Sequence, residues 1–224
     1  MSTALVIGAS RGIGLEFVRQ YVSEGWQVFG THRTEGDRQM LRSAGAHTLR
    51  LDVNEPEDLA GIAWQLDGER IDVAIVNAGV YGPRDSAVGQ NPDDESFDLV
   101  MRTNVLGAMR LLPVLAPMLI ESAGSLVFVS SKMGSITETH HNFGALYRIS
   151  KAAINMVARL AHAQYADQGV RVLSVHPGWV RTDMGGPNAE ISVQTSVEGL
   201  RAVIADRGCA GGGFYDYRGS SLPW

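Results

Sequence analysis

This sequence predicts an α/β chain wound on both faces of one seven-stranded parallel sheet, and three observations predict it. Short β-branched and aliphatic runs alternate with helical stretches along the chain. The first run empties directly into a glycine-rich loop, and an amphipathic helix follows at once. No internal repeat, linker or low-complexity tract interrupts the alternation, so residues 1–224 read as a single domain.

Ala4–Ile7 is the first candidate strand. Behind it, Ile13, Phe17 and Tyr21 form one row of a helix, with Gly14, Val18 and Val22 alongside and Gly25 as the stop. Gln27–Gly30 and Thr48–Leu51 follow as strands. Asn54-Glu55-Pro56-Glu57-Asp58 reads as a cap, an early proline and an acidic first turn opening another helix. Val73–Val76 is the fourth strand. Residues from Asp94 to Met118 are helical in pattern, and Pro113 and Pro117 are expected to break or bend the end. After the strand Leu126–Ser130, a long helix runs from about Phe143 to Ala166. Val170–Val175 and Phe214–Tyr217 complete the seven strands.

Composition narrows the class. An apolar fraction of 45% can fill a sizeable core, and the net charge of −5 argues against nucleic-acid or membrane surfaces as partners. No run approaches the roughly 18 apolar residues of a membrane span. Met1-Ser2-Thr3-Ala4 lacks a basic leader and runs straight into the first strand. The single Cys209 excludes an internal disulfide and suits a reducing compartment, so a cytoplasmic protein is expected.

Gly8-Ala9-Ser10-Arg11-Gly12-Ile13-Gly14 joins the first strand to the first helix, with G-x-x-x-G-x-G spacing. Glycines let the backbone approach a pyrophosphate, whose charge a helix N-terminus attracts. The unit is therefore read as a dinucleotide-binding, Rossmann-type domain. The second strand ends in Gly30-Thr31-His32-Arg33, with no carboxylate for a ribose 2′-hydroxyl. Arg33, joined by Arg11, suits a 2′-phosphate, so NADP(H) is favoured over NAD(H). The alternative is two solvated arginines, since seventeen of the nineteen basic residues are arginine.

Tyr147 and Lys151, one of only two lysines, stand four residues apart on the predicted long helix and so on one face. A free phenol, with a pKa near ~10, is a weak proton donor at neutral pH, and a nearby ammonium is expected to lower that value.

Taken in order, the glycine loop, Asn77-Ala78-Gly79, Asn104, Ser130-Ser131, Tyr147-x-x-x-Lys151 and Pro177-Gly178 resemble the short-chain dehydrogenase/reductase family. The resemblance spans residues 7 to about 184. Tyr147-Arg148-Ile149-Ser150-Lys151-Ala152-Ala153, His176-Pro177-Gly178-Trp179-Val180 and the Phe214-to-Trp224 ending are similar to its C-factor and sniffer-type carbonyl reductase subgroup.

That resemblance implies reduction of a ketone or aldehyde by hydride transfer. Tyr147 is then the general acid, Lys151 lowers its pKa, and Ser131 hydrogen-bonds the substrate oxygen. Asn104, by itself a weak helix former expected at a solvent face, is implied to hold a water linked to Lys151. Cofactor contacts are implied for Gly8, Ser10, Arg11, Gly12, Ile13, Gly14, Arg33, Asp52, Val53, Asn77, Ala78, Gly79, Tyr147, Lys151, Pro177, Gly178, Val180 and Thr182. Asp52 reads equally as a turn acid. The family also implies a homodimer or homotetramer joined through long helices, with Ile149, Ala153 and Met156 on the contact face.

Two departures concern the substrate side. Ser131 precedes Tyr147 by sixteen residues, a longer gap than the family's common one, and the extra stretch Thr137–Phe143 carries His140-His141. With no third ligand in view, no metal is expected there. The substrate lobe, around 182–195, is short, which predicts a wide pocket with Tyr81, Trp179 and Met184 as candidate walls. Two other functions stay open: an NAD-linked alcohol dehydrogenase, and a nucleotide-binding signalling protein like C-factor.

Overall fold

The computed structural model describes residues 1–224. Its strands are β1 (Thr3–Ile7), β2 (Gln27–His32), β3 (His47–Arg50), β4 (Val73–Val76), β5 (Ser125–Val129), β6 (Arg171–His176) and β7 (Gly213–Asp216). They form one parallel sheet in the order β3-β2-β1-β4-β5-β6-β7. The chain reverses direction across the sheet between β1 and β4, and that switch point opens a crevice at the strands' carboxyl ends.

The helices are α1 (Gly12–Ser23), α2 (Glu35–Ser43), α3 (Pro56–Gln65), α4 (Asp94–Met101), α5 (Gly107–Ser122), α6 (Ala145–Tyr165) and α7 (Val193–Ala205). Alternate residues of each strand face opposite ways, so the sheet makes two cores. Leu5 and Ile7 join Leu59 and Ile62 of α3, Leu111 and Leu115 of α5, and Ile154 of α6. Ala4 and Val6 join Phe17 and Val18 of α1, Leu41 of α2, and Leu200 of α7.

Several elements differ from the sequence expectation. β2 runs two residues longer because Thr31 and His32 pair with Leu49 and Arg50. The helix α2 was not expected; Thr34 caps it by accepting from the Asp37 N–H at 3.2 Å. Glu55, not Asn54, is the N-cap residue of α3, and the Asn54 amide instead donates to Thr103 Oγ1 at 3.2 Å.

Pro113 and Pro117 do not break α5, which continues to Ser122. Met109, Pro113 and Pro117 lie on its exposed edge, so the carbonyls that lose an N–H partner there face water. The helix stops where Ala123 turns left-handed (φ 50, ψ 42). One π turn, Arg102–Leu106, separates α4 from α5. The stretch Asp94–Ser122 is long and apolar enough by composition to cross a membrane, although it holds no unbroken run of 18 apolar residues, and half of its most apolar window is buried in the fold.

Candidate active site

At the top of β1 the chain turns into the glycine loop with Gly8 at φ 79. A Cβ on Gly8 would stand 2.7 Å from the Ala78 backbone, and one on Gly14 would stand 2.1 Å from the Gly8 carbonyl oxygen. No side chain fits at either place. The Gly8 N–H donates to Thr31 Oγ1 at 2.9 Å, and the Asn77 amide donates to the Gly8 carbonyl at 2.8 Å. The loop is thus fixed by the ends of β2 and β4. Arg11, the N-cap residue of α1, places no side chain over the first turn, which leaves the helix N-terminus turned to the crevice.

The crevice has a volume of about 460 Å³. Gly8, Ser10, Arg11, Gly12, Ile13, Arg33, Asp52, Val53, Asn77, Ala78, Gly79, Tyr147, Lys151, Pro177 and Thr182 all line it. Gly14 does not; its role is the close approach of α1 to the loop. Gly178 and Val180 border the adjoining space rather than the crevice. Arg33 is exposed and has no carboxylate partner, whereas Arg11 pairs with Asp183 at 3.0 Å rather than joining Arg33. Asp52 accepts from the Asn54 N–H at 3.0 Å, as a turn acid does, while also lining the crevice.

Sequence reasoning passed over Ile7, Thr31, His32, Leu51, Val80, Thr103, Val129, Arg181 and Asp183 as lining residues, and Ser130 and Met184 line the crevice as well. For Thr31 the signal was a hydroxyl at the end of β2, level with the loop.

Four buried side chains gather away from the glycine loop: Tyr147 and Lys151, which line the crevice, Ser131, which lines the adjoining space, and Asn104 behind Gly79. One turn of α6 puts Tyr147 and Lys151 together, with Lys151 Nζ 5.5 Å from the centre of the phenol ring. Lys151 Nζ donates to the Val129 carbonyl at 2.8 Å. Ser131 Oγ accepts from the Met133 N–H at 3.1 Å, and Ser131 stands close enough to Tyr147 to draw its pKa down. Ser130 instead turns back toward the Lys151 carbonyl at 3.4 Å.

Asn104 does not face solvent. The π turn carries it inward, where Oδ1 accepts from the Val80 N–H at 2.8 Å. Its amide donates to the Val80 carbonyl at 2.8 Å and to Ser150 Oγ at 2.9 Å. A side-chain carbon at Gly79 would stand 3.2 Å from Asn104 Oδ1 and 3.7 Å from Lys151 Nζ. Glycine therefore keeps the space between them open.

The protonation balance differs from the sequence expectation. Burial pushes the Tyr147 pKa up; nearby Ser131 pulls it down, and nearby Tyr81 raises it further. Lys151 does not produce the expected net lowering. Burial instead brings Lys151 itself down to about 8. Desolvation is the largest cause for both groups because both are enclosed.

Beyond Tyr147 lies a second space of about 570 Å³, which borders Ser131, Tyr81, Trp179 and Met184. Tyr81 stacks on Tyr147 at 4.5 Å with rings 18° apart. Phe143 lines this space, but His140 and His141 do not.

Residues 2–191 match the family model described as short chain dehydrogenase. The chain is a short-chain dehydrogenase/reductase. Among curated relatives of this family member, the C-signal of Myxococcus xanthus is 36% identical over 156 residues, covering 69% of this chain and 93% of the relative. A carbonyl reductase of Pseudomonas aeruginosa PAO1, solved in complex with NADP, superposes with a TM-score of 0.86 at 35% identity, covering 100% of both chains. The carbonyl reductase Sniffer of D. melanogaster superposes at 0.92 with 26% identity, again over 100% of both chains. The dehydrogenase/reductase thus has relatives on both branches that its motifs resemble.

Proposed function

We propose that the protein reduces a ketone or aldehyde to an alcohol with NADPH, Tyr147 supplying the proton. The observation that carries this reading is buried Tyr147, which lines both the crevice and the second space, with buried Ser131 lining the second space beside it. The crevice fits the cofactor: two loop glycines with positive φ, an open helix N-terminus, and Arg33 free where a 2′-phosphate would lie. Bound there, the nicotinamide would supply the hydride.

The remaining chemistry belongs to the chain. Burial holds Tyr147 protonated at neutral pH, so it carries the proton the reduction needs, as a weaker donor than a free phenol. Because Ser131 Oγ already accepts from Met133, its hydroxyl proton is available to a carbonyl oxygen gaining charge. Once the phenol gives up its proton, the nearby Lys151 charge stabilises the phenolate. Asn104 holds the Val80 loop and α6 in register around these groups.

Tyr147→Phe is expected to lower kcat/KM for a reducible carbonyl by roughly 10²–10⁴-fold while leaving NADPH binding intact; unchanged turnover rejects the mechanism. Arg33→Ala is expected to weaken NADPH but not NADH, measured as dissociation constants. Tighter wild-type binding of NADH would instead favour an NAD-linked dehydrogenase. A second reading rests on the likeness to the Myxococcus C-signal: the protein acts as a signal with little turnover. Cofactor binding without carbonyl-dependent NADPH consumption across a broad panel would favour it. We further propose that two copies associate through the exposed apolar faces of α4, α5 and α6.

A further inference from the structure

Two guanidiniums stand at the rim of the second space, and neither has a carboxylate partner. Arg84 lies over the Tyr81 ring at 5.1 Å and is held by the Met184 carbonyl at 2.6 Å. Arg148, the residue after Tyr147, lies over Phe143 at 5.0 Å. Its Nε donates to the Phe143 carbonyl at 2.9 Å and its Nη1 to the Met133 carbonyl at 3.5 Å.

Both arginines belong to one rim. The Tyr81 hydroxyl reaches Met133 Sδ at 3.9 Å, and the carbonyl of that same Met133 receives Arg148. Tyr81 also stacks on the catalytic phenol, so two successive contacts, 4.5 Å and 5.1 Å, join Tyr147 to Arg84.

The other charges nearby cancel. Lys132, the third cation lining the space, is paired with Glu138 at 2.6 Å. The lobe acid Asp183 is engaged by Arg11 at 3.0 Å. What remains is a net positive rim made of two stacked, backbone-anchored guanidiniums with N–H groups left over. A guanidinium fixed in this way loses little freedom on binding and offers paired donors to an oxyanion.

Resting on the reduction proposed above, we infer that the carbonyl substrate carries an oxyanion, a carboxylate or a phosphate, which Arg84 and Arg148 hold at the rim while Tyr147 and Ser131 hold the carbonyl. The unpaired rim charge favours this class over a neutral ketone, because a neutral compound leaves both cations unanswered.

The test compares 4-carboxybenzaldehyde, 4-formylphenyl phosphate and the neutral methyl 4-formylbenzoate as substrates with NADPH. Wild type should prefer one or both anions by roughly tenfold or more in kcat/KM, and the better of the two identifies the oxyanion. Arg84→Gln and Arg148→Gln should each lose most of that preference through KM, with kcat and turnover of the ester unchanged. Arg84→Lys and Arg148→Lys, which keep the charge without the fork, should retain part of it and guard against a folding defect. Equal wild-type use of acid and ester, or equal loss of both in the variants, overturns the inference. Calorimetric titration with 4-(hydroxymethyl)benzoate reads the arginines independently. Arginine-dependent binding without turnover of any aldehyde would refute the reduction yet keep the anion site, and binding indifferent to both arginines would refute the site.

Discussion

Lys151 carries the sharpest single-residue consequence. Its ammonium is buried, and burial brings its pKa from 10.5 to about 8. Below pH 8 folded and unfolded chains both hold the proton, and the fold bears the full cost of enclosing the charge. Between pH 8 and 10.5 the unfolded chain binds more protons, so stability from this residue rises with pH. Lys151→Met removes the term, and Tyr147 is common to both proteins. Wild-type stability relative to the variant should therefore climb by roughly 3 kcal/mol from pH 7 to pH 10.5. Urea denaturation at both pH values checks this; a flat or falling difference contradicts the burial argument. Turnover should collapse in the variant at either pH. Tyr147, Lys151 and Ser131 were legible because their spacing is set by one strand end and one helical turn. The net rise in the Tyr147 pKa was not, since desolvation depends on what packs over the ring, here Tyr81. Nor did sequence distance show that Arg84 and Arg148 share a rim, because they meet only through Tyr81 and Met133.

Among the elements, the π turn between α4 and α5 changes most from the sequence expectation. A regular helix would leave Asn104 as a poor helix former at the surface; the wider turn brings its amide inward to three hydrogen bonds. Asn104→Ala should destabilise the protein by roughly 2–4 kcal/mol, because partners in the interior lose their bonds without gaining water. Pro117→Ala should do the opposite. Its position is exposed, and an N–H restored there reaches the Pro113 carbonyl, for a gain of roughly 1–2 kcal/mol after the looser unfolded chain is counted. Denaturant midpoints of the two variants, moving in opposite directions, check both. All seven strands were legible to within two residues, the inner ones because strands buried on both faces are written as continuous apolar runs. The helix α2 was not, since only Leu41 of its nine residues is buried and it shows no apolar stripe. Its signal was the cap, Thr34 with Asp37, rather than hydrophobicity.

At the scale of the molecule, the sheet order places the crevice over β1 and β4, with one side of α6 turned to it and the other left exposed. The inner side of α6 carries Tyr147, Lys151 and Ile154, all buried. Its outer side exposes Ile149, Met156 and Leu160, at 49%, 60% and 63%. Positions i, i+7 and i+11 of a helix share a face, so these three make one apolar stripe. Phe97 and Leu99 of α4 and Met109 of α5 are also exposed, and α4 and α5 both pack beside α6. A stripe of this kind on one long helix can meet its own copy about a two-fold axis, which closes the assembly with identical patches. A second copy of the chain is therefore the expected occupant, and light scattering should give about twice 24.1 kDa. Met156→Glu with Leu160→Glu places charges in the middle of that contact, where desolvating them opposes association. The doubly substituted protein should run as a monomer near 24.1 kDa and still bind NADPH, because the crevice belongs to one chain. A mass that the substitutions leave unchanged would show that the copies meet elsewhere, and a wild-type mass of one chain would show that they do not meet at all.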